Sequence, residues 1–266
     1  AANAGHVERF DAAASRIDMA PDGARLVLAD GRELRGRLLV GADGARSVVR
    51  EVAGIPSRES DYGQVAVVAN FRCELPHRET AFQWFQGGPV LALLPLPGNR
   101  ASMIWSLPEG DAARRLALSP DALRLEVERA SRGMLGALAS DSPARSYPLR
   151  RLAAERLIAP RVALAGDAAH VIHPLAGQGL NIGLQDARVL ADVVGRREPG
   201  RDPGDPALLR RYERRRAEPI RAMDFMVDGL YRLFRAPGAG RLRNAGLNLT
   251  GRVPVLKNLL MRHAMR

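Results

Sequence analysis

Two stretches of this sequence set an acid beside glycine at the end of an apolar run, and both could present a carboxylate to a ligand. The first reads Leu38-Leu39-Val40-Gly41-Ala42-Asp43-Gly44-Ala45-Arg46-Ser47-Val48-Val49-Arg50. A strand ending in Asp-Gly can place a carboxylate at a ligand while the backbone turns sharply, and Arg46 and Arg50 can pair with acids or phosphate nearby. The same residues also read as an Asp-Gly turn that caps a helix at Ser47. The second stretch runs Val162-Ala163-Leu164-Ala165-Gly166-Asp167-Ala168-Ala169-His170-Val171-Ile172-His173-Pro174-Leu175-Ala176-Gly177-Gln178-Gly179-Leu180-Asn181-Ile182-Gly183. It describes a strand, an acid at its end, a loop without bulk, and a helix whose free amide groups point back at the loop and attract negative charge. Gly177, Gly179 and Gly183 miss the spacing of a dinucleotide phosphate loop by one residue and follow a loop rather than a strand. His170 and His173 invite an acid–base or metal role, but no cluster of acids or cysteines accompanies them, so a structural role is favoured and no metal is expected.

The elements that must position these residues follow from the pattern around them. Residues 25–29 alternate, Asp30-Gly31 is a tight-turn dipeptide, and Leu38-Leu39-Val40 reads as a buried strand, so a hairpin should feed a central strand. Residues 64–71, 81–85, 90–94 and 101–105 are apolar and separated by Gly and Pro, which predicts an antiparallel sheet. Phe82, Trp84, Phe85 and Trp105 in it read first as ordinary core. Ser119-Pro120-Asp121 opens a helix in which Leu123, Leu125, Val127 and Ala130 lead toward Leu135. Residues 162–165 form a short strand. A second helix spans about 179–194 with Leu180, Leu184, Ala187, Val189, Leu190, Val193 and Val194 on its apolar side, and it stops at Gly195. A Pro- and Gly-rich loop then leads to a helix from about Ala207 into the 220s.

A chain of 266 residues with 46% hydrophobic content can bury a real core, and no apolar run approaches the roughly 20 residues of a membrane-spanning helix. No secretory signal is seen, and the lone Cys73 can form no internal disulfide, which together suggest a cytoplasmic protein. The net charge of +11 is concentrated at one end: from Arg196 onward sixteen Arg and one Lys face seven acids. No acid follows Asp228, and Leu247, Leu249, Val253, Val255, Leu256, Leu259 and Leu260 interleave with bases there, a pattern suited to an anionic membrane surface. No nucleic-acid-binding motif accompanies the charge, so a nucleic-acid partner is not expected.

The two acid-bearing stretches, in this order and about 120 residues apart, resemble the second and third FAD motifs of the class A flavoprotein monooxygenases. The last 60 residues, with Tyr212, Arg216, Asp224, Asp228-Gly229-Leu230, Leu233-Phe234, the run Leu242 to Leu247 and Pro254-Val255-Leu256-Lys257, are similar to the tail of the ubiquinone-biosynthesis hydroxylases. The resemblance implies FAD as cofactor, with Gly166 and Asp167 at the ribityl chain and Gly177, Gln178, Gly179, Leu180 and Asn181 along the flavin ring. It takes Pro174 as the catalytic position, and it links Asp43 and Arg46, with Arg50, to FAD and NAD(P)H. It further implies hydroxylation of a polyprenylated phenol with NAD(P)H and dioxygen through a flavin hydroperoxide, beside other ubiquinone-biosynthesis enzymes, peripheral to the inner membrane.

The expected fold is α/β (α+β): an incomplete Rossmann-like FAD/NAD(P)-binding domain in residues 1–60 and 151–200, a β-rich substrate domain in 61–150, and a helical basic region in 201–266. The family's first motif, GxGxxG near the amino terminus, is absent, which implies a truncated chain or a natural remnant, one or two missing strands and an exposed sheet edge. Alternatives are another flavoprotein of the class, an epoxidase, halogenase or reductase, or a non-catalytic interaction protein at the membrane surface. No lysine-bearing halogenase signature is evident.

Overall fold

The computed structural model describes residues 7–172 and 179–235. The chain divides into two compact units; of the described residues the first holds 7–58, 152–171 and 179–222, and the second holds 59–151, 172 and 223–235. Antiparallel and parallel strands mix with helices, as the sequence predicts for an α/β (α+β) chain.

The first unit opens with β1 (Ala14–Ala20), β2 (Gly23–Leu28) and β3 (Glu33–Gly36), an antiparallel sheet in the order β1-β2-β3. Gly31 turns β2 into β3 with φ of +86°, a conformation that favours glycine. Next come β4 (Leu39–Gly41) and the short helix α1 (Val48–Val52). After the second unit, the chain adds β11 (Ile158–Ala159) and β12 (Val162–Leu164), which join β4 in a sheet ordered β11-β12-β4. The pair β12 and β4 is parallel, and all of β12 is buried, as a strand covered on both faces must be. The expected burial of β4 is only partial: Val40 is 43% exposed because β4 has one strand neighbour among the described residues. The two-residue strand β13 (His170–Val171) pairs with Leu152 and Ala153. Helix α4 (Gly179–Gly195) and α5 (Pro206–Arg235) complete the unit's share, and Leu190, Val193, Leu208, Leu209 and Tyr212 close a core over Val49, Ile55 and β12.

The second unit is built on a sheet of β5 (Ser57–Cys73), β6 (Phe82–Phe85), β7 (Val90–Leu96), β8 (Arg100–Pro108) and β10 (Arg145–Ala154), ordered β10-β5-β8-β7-β6, with β9 (Leu138–Ser140) also on β5. Registers such as Val67 opposite Trp105 and Trp105 opposite Leu91 put Val67, Leu91 and Trp105 on one face. Helices α2 (Glu109–Leu116) and α3 (Pro120–Ala130) contribute Ala112, Leu123 and Val127 to the same core. Ser119 caps α3, its hydroxyl accepting the Ala122 amide at 3.2 Å, and Pro120 begins the helix. Leu125 departs from the expected apolar face: 40% exposed, it lies off the Leu123–Val127 stripe, and α3 stops at Ala130, short of Leu135. Trp105 is 2% exposed, its Nε1 has no hydrogen-bond partner among the described residues, and the Arg115 guanidinium lies over its ring at 4.2 Å. Each large side chain fully buried in such a core contributes about 1.5–3 kcal/mol. Among the described residues no helix is long and apolar enough to cross a membrane.

Candidate functional site

Because β4 and β12 are parallel, with Gly41 opposite Leu164, the residues after both strands leave the same end of the sheet. That is the end where open α/β sheets bind ligands. Asp43 and Asp167, 124 positions apart, are thereby brought to one edge of the unit, and the Ala165 amide donates to the Gly41 carbonyl at 2.9 Å to fix the spacing. Gly41 permits the approach: a Cβ there would meet Leu164 and Val49 side-chain atoms at 2.9 Å.

The first turn serves its own helix. The Asp43 carboxylate accepts from the Ser47 hydroxyl and, at 3.1 Å, from the Val49 amide, while Ser47 caps α1 by accepting the Arg50 amide at 3.0 Å. Burial pushes the Asp43 carboxyl up, but the Ser47 hydroxyl and neighbouring amides outweigh it and hold the group below its ordinary value. Arg46 is exposed, and its side chain makes no hydrogen bond or ion pair among the described residues. Arg50 is buried and reaches across, donating to the Ala168 carbonyl at 2.9 Å and to the Ala45 carbonyl at 2.8 Å, so it ties one turn to the other.

The second turn is held from every side except one. Gly166 adopts φ of +60°, and residues Gly166–Ala168 make a short 3-10 turn closed by the Ala169 amide on the Gly166 carbonyl at 2.8 Å. The Tyr212 hydroxyl donates to the Leu164 carbonyl at 2.6 Å from a fully buried position. Burial, with the nearby Asp186 charge, pushes that phenol far up, so it acts as a neutral donor. Asp167 projects outward, and its carboxylate has no hydrogen-bond partner among the described residues.

Helix α4 starts beside this turn, with Leu180 75% exposed and Asn181 also exposed in its first turn. Its apolar side is only in part the one the sequence suggested: Leu190 and Val193 are buried and Val189 and Val194 pack on the core. Leu184 is 59% exposed and Ala187 is exposed, whereas Ile182, Asp186, Leu190 and Val193 form the buried stripe. Asp186, 0% exposed, is the residue that sequence reasoning missed. Its Oδ2 accepts the Gly166 amide at 2.9 Å and pairs with His170 Nε2 at 2.6 Å, and its Oδ1 accepts Arg216 Nε at 2.6 Å. Burial alone would raise its carboxyl, but His170, the Gly166 amide and Arg216 together hold it below the ordinary range. The signal was present in the 4-4-3 spacing of Ile182, Asp186, Leu190 and Val193, with a carboxylate in the middle of an apolar row.

His170 is thus a buried partner of a carboxylate, and among the described residues no group of three or more His, Cys, Asp or Glu could hold a metal. His173, Pro174, Gly177, Gln178 and the tail segments 242–247 and 254–257 lie outside the described residues.

The family model described as FAD binding domain matches residues 10–225. The chain belongs to the FAD binding domain family. It is 44% identical over 248 residues to the ubiquinone hydroxylase UbiL of Rhodospirillum rubrum, covering 92% of this chain and 58% of that protein. It is 34% identical over 243 residues to the 3-demethoxyubiquinol 3-hydroxylase of Escherichia coli, covering 90% of this chain and 62% of that one. The chain therefore spans about three-fifths of the length of these relatives. Among solved structures, the Diels-Alderase PyrE3 of pyrroindomycin biosynthesis superposes with a TM-score of 0.73 at 26% identity, over 95% of this chain and 55% of that one. The residues present suit the cofactor of the FAD binding domain family. The outward carboxylate of Asp167 is an acceptor for hydroxyl groups, and the amides at the start of α4 are donors for negative charge.

Proposed function

We propose that this chain is the flavin-contacting and substrate-facing part of an FAD-dependent monooxygenase that hydroxylates a polyprenylated phenol in ubiquinone biosynthesis, using NAD(P)H and dioxygen. The observation that carries the reading is the exposed Asp167 carboxylate, without a hydrogen-bond partner among the described residues, on a turn whose Gly166 amide, Gly166 carbonyl and Ala168 carbonyl are all engaged. Similarity to proteins named as ubiquinone hydroxylases supports the substrate class.

When bound, FAD supplies the redox chemistry and the activation of oxygen. The chain's own residues orient and polarise. Gly166 and Asp167 would hold ribityl hydroxyls, and Pro174, Gly177, Gln178, Gly179, Leu180 and Asn181 would line the ring, with Pro174 as the catalytic position. The amide groups at the start of α4 stabilise negative charge without reorganising. Asp43 and Arg46 take part through the first turn. In the second unit, the sheet face opposite the helices carries Ala66, Val68, Val90, Ala92, Ile104 and Ser106, mostly apolar side chains that suit a phenol ring. The acid-free tail after Asp228 meets an anionic membrane surface.

A flavin-fluorescence titration of the chain and of Asp167→Ala tests the reading. Losing an acceptor for hydroxyl donors should raise the Kd for FAD about tenfold or more. Equal affinities, or no binding by the parent chain, would overturn it.

A further inference from the structure

We propose that Asp186 is a positioning residue that acts on FAD through Asp167, by clamping the turn that presents it. The proposal rests on the reading of Gly166-Asp167 as cofactor-binding.

One face of α4 offers the turn two adjacent fittings. Gly183 meets Gly166 backbone to backbone, so closely that a Cβ on Gly183 would lie 3.2 Å from the Gly166 Cα. One turn further along the helix, Asp186 accepts the Gly166 amide at 2.9 Å. The same oxygen holds His170, which lies beyond the turn, so the segment carrying Asp167 is gripped at both ends by a single atom. The second oxygen is anchored by Arg216 of α5, whose guanidinium also donates to the Ile182 carbonyl at 3.2 Å and to Gln185 Oε1 at 3.1 Å. The carboxylate therefore cannot swing to follow the turn. Gly166 has φ of +60° and no side chain of its own, and the Ala169 amide on its carbonyl is the local bond that holds its conformation. The clamp adds a hold from outside the turn, and Asp167 inherits a fixed direction. The chemistry requires a carboxylate: Asn would turn an NH2 group toward an Arg, an amide or a histidine that already donates.

The test is a double-mutant cycle on the full chain: parent, Asp186→Asn, Asp167→Ala and the double variant, with FAD affinity read by flavin fluorescence and folding by Tm. Asp186→Asn should weaken FAD about tenfold. In the Asp167→Ala background the same change should have little further effect on affinity, while its effect on Tm persists. Hydrogen exchange at the Gly166 amide should quicken in Asp186→Asn. If Asp186→Asn proves too unstable, His170→Gln releases one end of the clamp and should give the same non-additivity.

Additive losses of affinity would make Asp186 merely structural and overturn the proposal. If Asp167→Ala weakens FAD and neither clamp variant does, the proposal fails while the cofactor reading stands. If Asp167→Ala binds like the parent, or the parent does not bind, the cofactor reading fails and takes the proposal with it.

Discussion

The two acid-bearing turns leave the same end of one sheet, yet their carboxylates have opposite fates. Asp43, though exposed, folds back on a five-residue helix and is engaged by Ser47 and Val49; Asp167, also exposed, has no hydrogen-bond partner among the described residues, and its support comes from residues around it. One carboxylate builds its own turn, while the other is carried by a second, buried carboxylate, Asp186. Similar local sequence therefore yields a cap in one place and a presented group in the other, and the difference lies in Asp186 and Arg216, 19 and 49 positions from Asp167.

The comparison is broken most severely at Arg216. Arg216→Ala leaves Asp186 buried beside His170 without its main cation, and stability should fall by about 3–5 kcal/mol in a denaturant titration. Gly183→Ala comes next: the new methyl must push the Gly166 backbone away, at about 1–3 kcal/mol, with weaker FAD binding as the companion effect. Asp43→Ala removes a cap and should cost about 1 kcal/mol. Asp167→Ala should leave Tm almost unchanged, because no described group depends on it; a drop as large as that of Asp43→Ala would erase the distinction between the turns. Acid sharpens the same contrast. Asp43 and Asp186 are held below the ordinary carboxylate value of about 4, so their stabilisation is complete above it and is lost as pH falls through the lowered values. Asp186→Asn should flatten that acid limb.

Much of this was legible in the residues. Apolar runs and Gly-Pro punctuation marked β5 to β8, Ser119-Pro120 marked the start of α3, and the run 162–165 marked β12 with its acid at the end. Both readings of the first stretch were open from sequence, and the cap at Ser47 is what the structure contains. What was hidden was long-range. Asp186 sits between Gln185 and Arg188 and looks like part of a solvated face until Arg216, on another helix, and His170, on a two-residue strand, supply its partners. Leu180 and Leu184 misled for the converse reason: an apolar pair at helical spacing need not face the core.

The two tryptophans, Trp84 and Trp105, both belong to the second unit, and Trp105 is sealed from water under a guanidinium. Tryptophan emission therefore reports on that unit alone and is silent about the turns at Asp43 and Asp167. Helical circular dichroism draws on both units, through α4 and the first part of α5 in the first and α2, α3 and the end of α5 in the second. Coincident melting curves from the two signals would mean one cooperative transition, and separated curves would mean that the flavin-contacting turns and the sheet can unfold independently.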